Sequence, residues 1–261
     1  MTFNGLNFGY VKSDFSPVQQ KAVARDGSLL HGRFNLTDEK HHSKPLRAVN
    51  DTFSMTTLVQ FEPLVESSTI EYSRKLSRRC AGQEAGICDF GQWLQFYAFH
   101  VIGELAFSKR LGFVDHCVDV DNIIGNIESL LGYFAVICQM PFFDKLSEKN
   151  PLGRWLSRTG LINVTSPVTK FTRNRMEARL KDDSEQAQNT KKGQSTRRDL
   201  LFRFMEANEK DLVFINAGRV LSLATADVSA GSDTTAISLR SIFYLLNNPG
   251  TLQSLKCELD E

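Results

Sequence analysis

Apolar side chains recur along this chain at steps of three and four residues. The pattern runs through residues 56–78, 90–107, 121–137, 166–180 and 212–246, a period that gathers them on one face of a helix. Strict apolar–polar alternation, the signature of half-buried strands, is scarce. Several breaks carry turn chemistry: Ser16-Pro17, Asn150-Pro151-Leu152-Gly153, Ser166-Pro167 and Asn248-Pro249-Gly250. Proline there removes a backbone donor and disfavours helix in the residue before it. Residues 1–261 therefore read as one mainly α-helical domain divided into rods, without an internal repeat.

Two segments depart from ordinary helical length or composition. Residues 181–198 contain only Ala187 from the apolar set, too little surface to offset the entropy of ordering them, which predicts a mobile surface loop. Residues 213–247 keep the helical period for about 35 residues, roughly 52 Å of rise. A rod of that length crosses a whole domain.

In the middle of that rod stands Ala230-Gly231-Ser232-Asp233-Thr234-Thr235. Glycine costs about 1 kcal/mol against alanine in a helix, and Ser, Asp and Thr side chains compete for backbone partners. Conflict between local propensity and global pattern is expected at functional or strained positions, so the ladder is expected to widen or bend near Gly231-Ser232. Ala226, Ala230, Asp233, Thr234 and Ile237 share a stripe by spacing. Small residues allow a flat cofactor to approach, and an adjacent carboxylate and hydroxyl can pass protons. A close helix–helix contact, with hydroxyls bonded back to the preceding turn, fits the same spacing.

Composition narrows the partners. With 41% hydrophobic and 23% charged residues and a net charge of +1, the chain is globular in type and lacks the basic field that nucleic acid requires. The first fourteen residues hold no apolar run of membrane-spanning length. Cys80, Cys88, Cys117, Cys138 and Cys257 are odd in number and widely spread, which predicts no metal site and a reduced compartment. Ser232 beside Asp233 lacks the Gly-x-Ser-x-Gly elbow of a hydrolase.

The central motif, continued by Ala236-Ile237-Ser238-Leu239-Arg240 and closed by Leu246-Asn247-Asn248-Pro249, resembles the oxygen-activating helix of the cytochromes P-450. Ser13-Asp14-Phe15-Ser16-Pro17-Val18-Gln19-Gln20, Thr37-Asp38-Glu39-Lys40-His41-His42 and the run from Ser54 to Leu64 extend the likeness. So does Cys88-Asp89-Phe90-Gly91-Gln92-Trp93-Leu94-Gln95-Phe96-Tyr97-Ala98-Phe99, through Phe107-Ser108-Lys109-Arg110-Leu111-Gly112-Phe113. Together they are similar to the pisatin-demethylase-like branch of fungal monooxygenases, enzymes of secondary metabolism, and cover essentially the whole chain.

The resemblance implies a partial P-450 fold, with most of the β-structure missing, and a haem-dependent monooxygenase. Asp233 and Thr234 would deliver protons during oxygen activation, Ala230 and Gly231 would leave room beside the haem, and Ala226 would line the side of a small hydrophobic organic substrate. Electrons would come from an NADPH-dependent flavoprotein reductase, with full-length members at the endoplasmic-reticulum membrane. His42 and Arg47 would approach a haem propionate, although the family's basic position is Leu46 here, with Lys44 the next alternative to Arg47 and Pro45 inside the expected helix. His100 stands where the family usually has aspartate, and reads as drift.

The family's Glu-x-x-Arg helix and Phe-x-x-Gly-x-Arg-x-Cys-x-Gly ligand loop are expected beyond Glu261. Glu71-Tyr72-Ser73-Arg74 and Arg78-Arg79-Cys80-Ala81-Gly82 mimic parts of them in the wrong order, with Ser73 and Leu76 where Phe and Gly belong. The expectation is a central fragment without anchor, cytoplasmic if it exists alone and inactive as it stands. The alternative is a non-enzymatic helical remnant that binds partners.

Overall fold

The structure is a computed structural model that describes residues 18, 50–80, 88–146, 150–159, 165–189, 199–210 and 217–260. Its α-helices are α1 (Met55–Leu58), α2 (Glu62–Cys80), α3 (Phe90–Phe107), α4 (Phe113–His116), α5 (Ile123–Ile137), α6 (Pro141–Leu146), α7 (Pro151–Arg158), α8 (Pro167–Asn189), α9 (Leu200–Lys210), α10 (Ala217–Asn247) and α11 (Pro249–Asp260). Among the described residues there is no strand. The fold is mainly α, as the periodicity predicts.

Proline sets many of the boundaries. Pro141, Pro151, Pro167 and Pro249 each open a helix, where a missing N–H has no intrahelical partner to lose and the fixed φ suits the first turn. Pro63 does the same one residue into α2, and a 3-10 turn, Val59–Phe61, separates α2 from α1. The single period expected over residues 56–78 is therefore interrupted there.

The centre of the core is α3. Trp93, Phe96, Phe99, Ile102 and Phe107 are all buried, and burial around so much of its circumference is what an almost wholly apolar helix requires. The Asp89 carboxylate caps it by accepting from Gln92 N at 3.0 Å, and Ser108 closes it in the left-handed region at φ 47°. Phe99 stacks on Phe113 of α4 with centroids 4.6 Å apart. Gly103 permits the chain to turn back: a Cβ there would meet Leu111 Cγ at 2.5 Å and the Lys109 carbonyl oxygen at 2.9 Å.

His100 belongs to this core. It is 0% exposed, and neither ring nitrogen has a hydrogen-bond partner among the described residues. Burial pushes its pKa below the ordinary 6.5, more than the nearby Asp115 carboxylate raises it. Desolvation thus holds the imidazole neutral.

The mobile loop expected over residues 181–198 is corrected over its first half, because α8 continues to Asn189; residues 190–198 lie outside the described set. Val168, Phe171 and Arg179 are buried, so the helix is already nucleated by packing, and each further polar residue adds a backbone bond at little entropic loss. Asp182 of the extension pairs with Lys109 at 3.1 Å. Residues 211–216 of the expected central rod are likewise outside the described set.

One stretch, Val120–Ile137, is apolar and long enough to be compared with a membrane span. It begins with a 3-10 turn, and α5 itself has 15 residues, about 22 Å of rise against a hydrocarbon thickness of about 30 Å. Ile123, Ile124 and Ile127 turn into the core.

Candidate active site

α10 has 31 residues and lies against α3. Val220, Leu221, Ala224, Val228, Ser232 and Ala236 form its buried face. Gly231 stands at the crossing, where a Cβ would come within 3.2 Å of Ile102 Cδ1. The small residue brings the two backbones close enough for side chains beside the crossing to touch.

The helix is α throughout residues 217–247, so the widened turn expected near Gly231-Ser232 is not formed. Thr225, Ser229, Ser232, Thr234, Thr235 and Ser238 each donate a hydroxyl to the carbonyl four residues earlier, at 2.6–2.9 Å. A carbonyl oxygen has two lone pairs and can accept both the helical N–H and a hydroxyl. The hydroxyls therefore join the ladder without opening it.

The stripe expected from spacing divides in space. Ala226 is half-buried, Ala230 and Thr234 are exposed, and Ile237 is 51% exposed, forming an open line of mostly small side chains. Asp233, partly buried, leaves the helix toward α3 instead, since consecutive residues are about 100° apart around the axis. There the Gln95 amide nitrogen donates to Asp233 Oδ1 at 3.3 Å. Arg240, two turns further along α10, donates to Gln95 Oε1 at 3.2 Å and to the Gly91 carbonyl at 2.8 and 3.1 Å.

Gln95 and Arg240 are site residues to which the sequence assigns no role. Arg240 sits seven positions after Asp233, a helical spacing, but Gln95 is 138 residues away and no local pattern joins them. His42 and Arg47 lie outside the described residues. Cys80 ends α2 beside Cys88, whose hydrogen-bond contact, with burial, pushes the Cys80 thiol up. That environment disfavours a thiolate.

Residues 10–261 match the family "Cytochrome P450". The chain belongs to the cytochrome P450 family. It is 37% identical over 258 residues to a "Cytochrome P450 monooxygenase" of Aspergillus terreus (strain NIH 2624 / FGSC A1156), covering 98% of this chain and 50% of that protein. It is 33% identical to "Cytochrome P450 monooxygenase cicH" of Emericella nidulans, covering 98% and 48%. It is 31% identical to "Cytochrome P450 monooxygenase mpaDE" of Penicillium brevicompactum, covering 97% and 28%. The chain thus spans about half the length of the first two relatives.

Membership of the cytochrome P450 family implies a haem cofactor. The described residues fit one face of such a group. Ala226 and Ala230 carry nothing beyond Cβ on the accessible side of α10, and the Thr234 hydroxyl follows one turn later. A planar macrocycle can approach a helix along such a line, with the Thr234 hydroxyl at its edge.

Proposed function

We propose that the protein carrying this segment is a haem-dependent monooxygenase that places one atom of dioxygen into a small hydrophobic organic substrate. The observation that carries this is the division of the motif on α10: Ala226, Ala230 and Thr234 open on one side, and Asp233 held behind them by Gln95. When bound, haem supplies dioxygen binding and O–O cleavage.

The chain's own residues supply position and protons. Asp233 takes up protons on the α3 side, and the Thr234 hydroxyl, now donating to the Ala230 carbonyl at 2.6 Å, presents them on the open side. Ala230 leaves space beside that hydroxyl, Gly231 lets α10 lie close to α3, and Ala226 lines the substrate side. His42 and Arg47 would help hold the haem through a propionate, and the cysteine that would bind its iron would lie outside residues 1–261.

We further assign the protein to the pisatin-demethylase-like fungal branch, as one segment of a longer chain. Electrons are proposed to come from an NADPH-dependent flavoprotein reductase, with the full-length protein at the endoplasmic-reticulum membrane. Support comes from the order of the quoted motifs and from the fungal monooxygenases the segment matches.

In the haem-loaded protein, Asp233→Asn and Thr234→Ala are expected to lower product formed per dioxygen consumed by roughly 10²-fold or more, the usual weight of a positioned proton donor. Substrate binding, read from the haem spectrum, is expected to persist. Unchanged coupling in both variants would remove the proton-delivery role.

A further inference from the structure

We propose that Gln95 is a positioning residue for Asp233: held by Arg240, its amide fixes the carboxylate on the α3 side of α10 as a hydrogen-bond acceptor. The assignment of a catalytic consequence rests on Asp233 being the proton-delivering acid proposed above.

The direction of each bond follows from the groups involved. A guanidinium has donors only and an ionised carboxylate acceptors only. Arg240 facing Gln95 at 3.2 Å must therefore meet the amide oxygen, which leaves the amide nitrogen to face Asp233 at 3.3 Å. A glutamine without Arg240 could flip and turn its oxygen toward the carboxylate. Arg240 is itself held by the Gly91 carbonyl, to which it donates twice. Gln95 is 6% exposed, so its amide is screened little by solvent and has few alternative partners.

The surroundings define what else acts on Asp233. Gln95 and Arg240 line a polar cleft of about 460 Å³ with Asp89, Gln92, Asp119 and Glu128, and Asp233 is not part of its wall. The charged residues that line this cleft are Arg240 on α10, Asp89 at the cap of α3, Asp119 before α5 and Glu128 within it. Asp119 is engaged there, accepting from Ile124 N and Gly125 N at 3.0 and 3.1 Å.

Gln95 therefore holds the α3-facing rotamer of Asp233, and transfer toward Thr234 requires that bond to weaken. Arg240 acts through Gln95.

The test reads the Asp233 χ1 rotamer in this 261-residue chain from its β-proton NMR couplings. The parent chain is expected to hold a single rotamer, and Gln95→Leu, which removes the donor, is expected to average it. Gln95→Glu, which keeps the shape and places a like charge against Asp233, is expected to turn the carboxylate away from α3. Arg240→Met, a change at an exposed position, is expected to average the rotamer in the parent chain and to add nothing to Gln95→Leu. A single unchanged rotamer in both Gln95 variants, or an Arg240→Met effect that persists in full without Gln95, overturns the proposal.

In the haem-loaded protein, Gln95→Leu is expected to lower coupling several-fold. If Asp233→Asn leaves coupling intact, the catalytic role of Asp233 fails while the rotamer still decides the Gln95 contact. If Asp233→Asn abolishes coupling and Gln95→Leu changes neither rotamer nor coupling, the positioning role alone fails.

Discussion

Arg179 Nε donates to Asp199 Oδ2 at 2.8 Å, with the two side chains 1% and 0% exposed. The pair ties α8 to α9, and Asp199 also caps α9 by accepting from Phe202 N at 2.8 Å. Asp199→Ala is expected to destabilise the chain by about 3–5 kcal/mol, because it removes a carboxylate from a buried guanidinium and removes a helix cap. Replacing both partners by apolar residues, Arg179→Met with Asp199→Leu, is expected to lose less than Asp199→Ala alone. Urea denaturation of the three chains checks the ordering.

His100 predicts a pH dependence of stability. Its folded-state pKa is depressed by burial, so the unfolded chain binds the proton more readily below the ordinary pKa of 6.5. Stability is therefore present above about pH 6.5 and falls as pH drops from there toward the depressed folded value. His100→Leu removes two buried nitrogens with no partner among the described residues and is expected to flatten this limb. Denaturation midpoints at pH 7.5 and 5.5 measure the difference, and an equal slope in the variant would refute it.

Two glycines are expected to respond in opposite senses to alanine. Gly103→Ala places a Cβ against Leu111 Cγ and a backbone oxygen and is expected to destabilise by about 1–3 kcal/mol. Gly132, exposed within α5, has no atom within 4 Å of a built Cβ. Gly132→Ala is expected to stabilise by about 0.5–1 kcal/mol through helix propensity. Thermal unfolding of both variants against the parent provides the comparison.

Cys80 is expected to be no haem ligand, since the Cys88 contact pushes its thiol up. A reduced carbon-monoxide difference spectrum of haem-supplemented chain is expected to be the same with and without Cys80→Ala. A thiolate band lost in that variant would make Cys80 the ligand.

Much of the backbone was legible from residue order. The three- and four-residue apolar period located α2, α3, α5 and α10, because burying one face requires that spacing. Pro151, Pro167 and Pro249 marked breaks between rods, and each opens the next helix because a ring in place of N–H fits its first turn. The polar tail of α8 was missed for the converse reason: a helix nucleated by Val168 and Phe171 extends through residues that bury nothing.

The motif Ala230 to Thr235 marked the candidate site by its conflict with helix propensity, but which way each side chain faces was decided by packing. Ser232 went into the core and Thr234 outward because α3 covers only one side of α10, and Asp233 met Gln95 because Gly231 lets Ile102 approach. The burial of His100 and the pairing of Arg179 with Asp199 arise in the same way. Sequence by itself determined the rods and the chemistry they carry, since those follow from neighbours along the chain. Tertiary structure alone decided the partners, since these depend on how closely two helices far apart in sequence can cross.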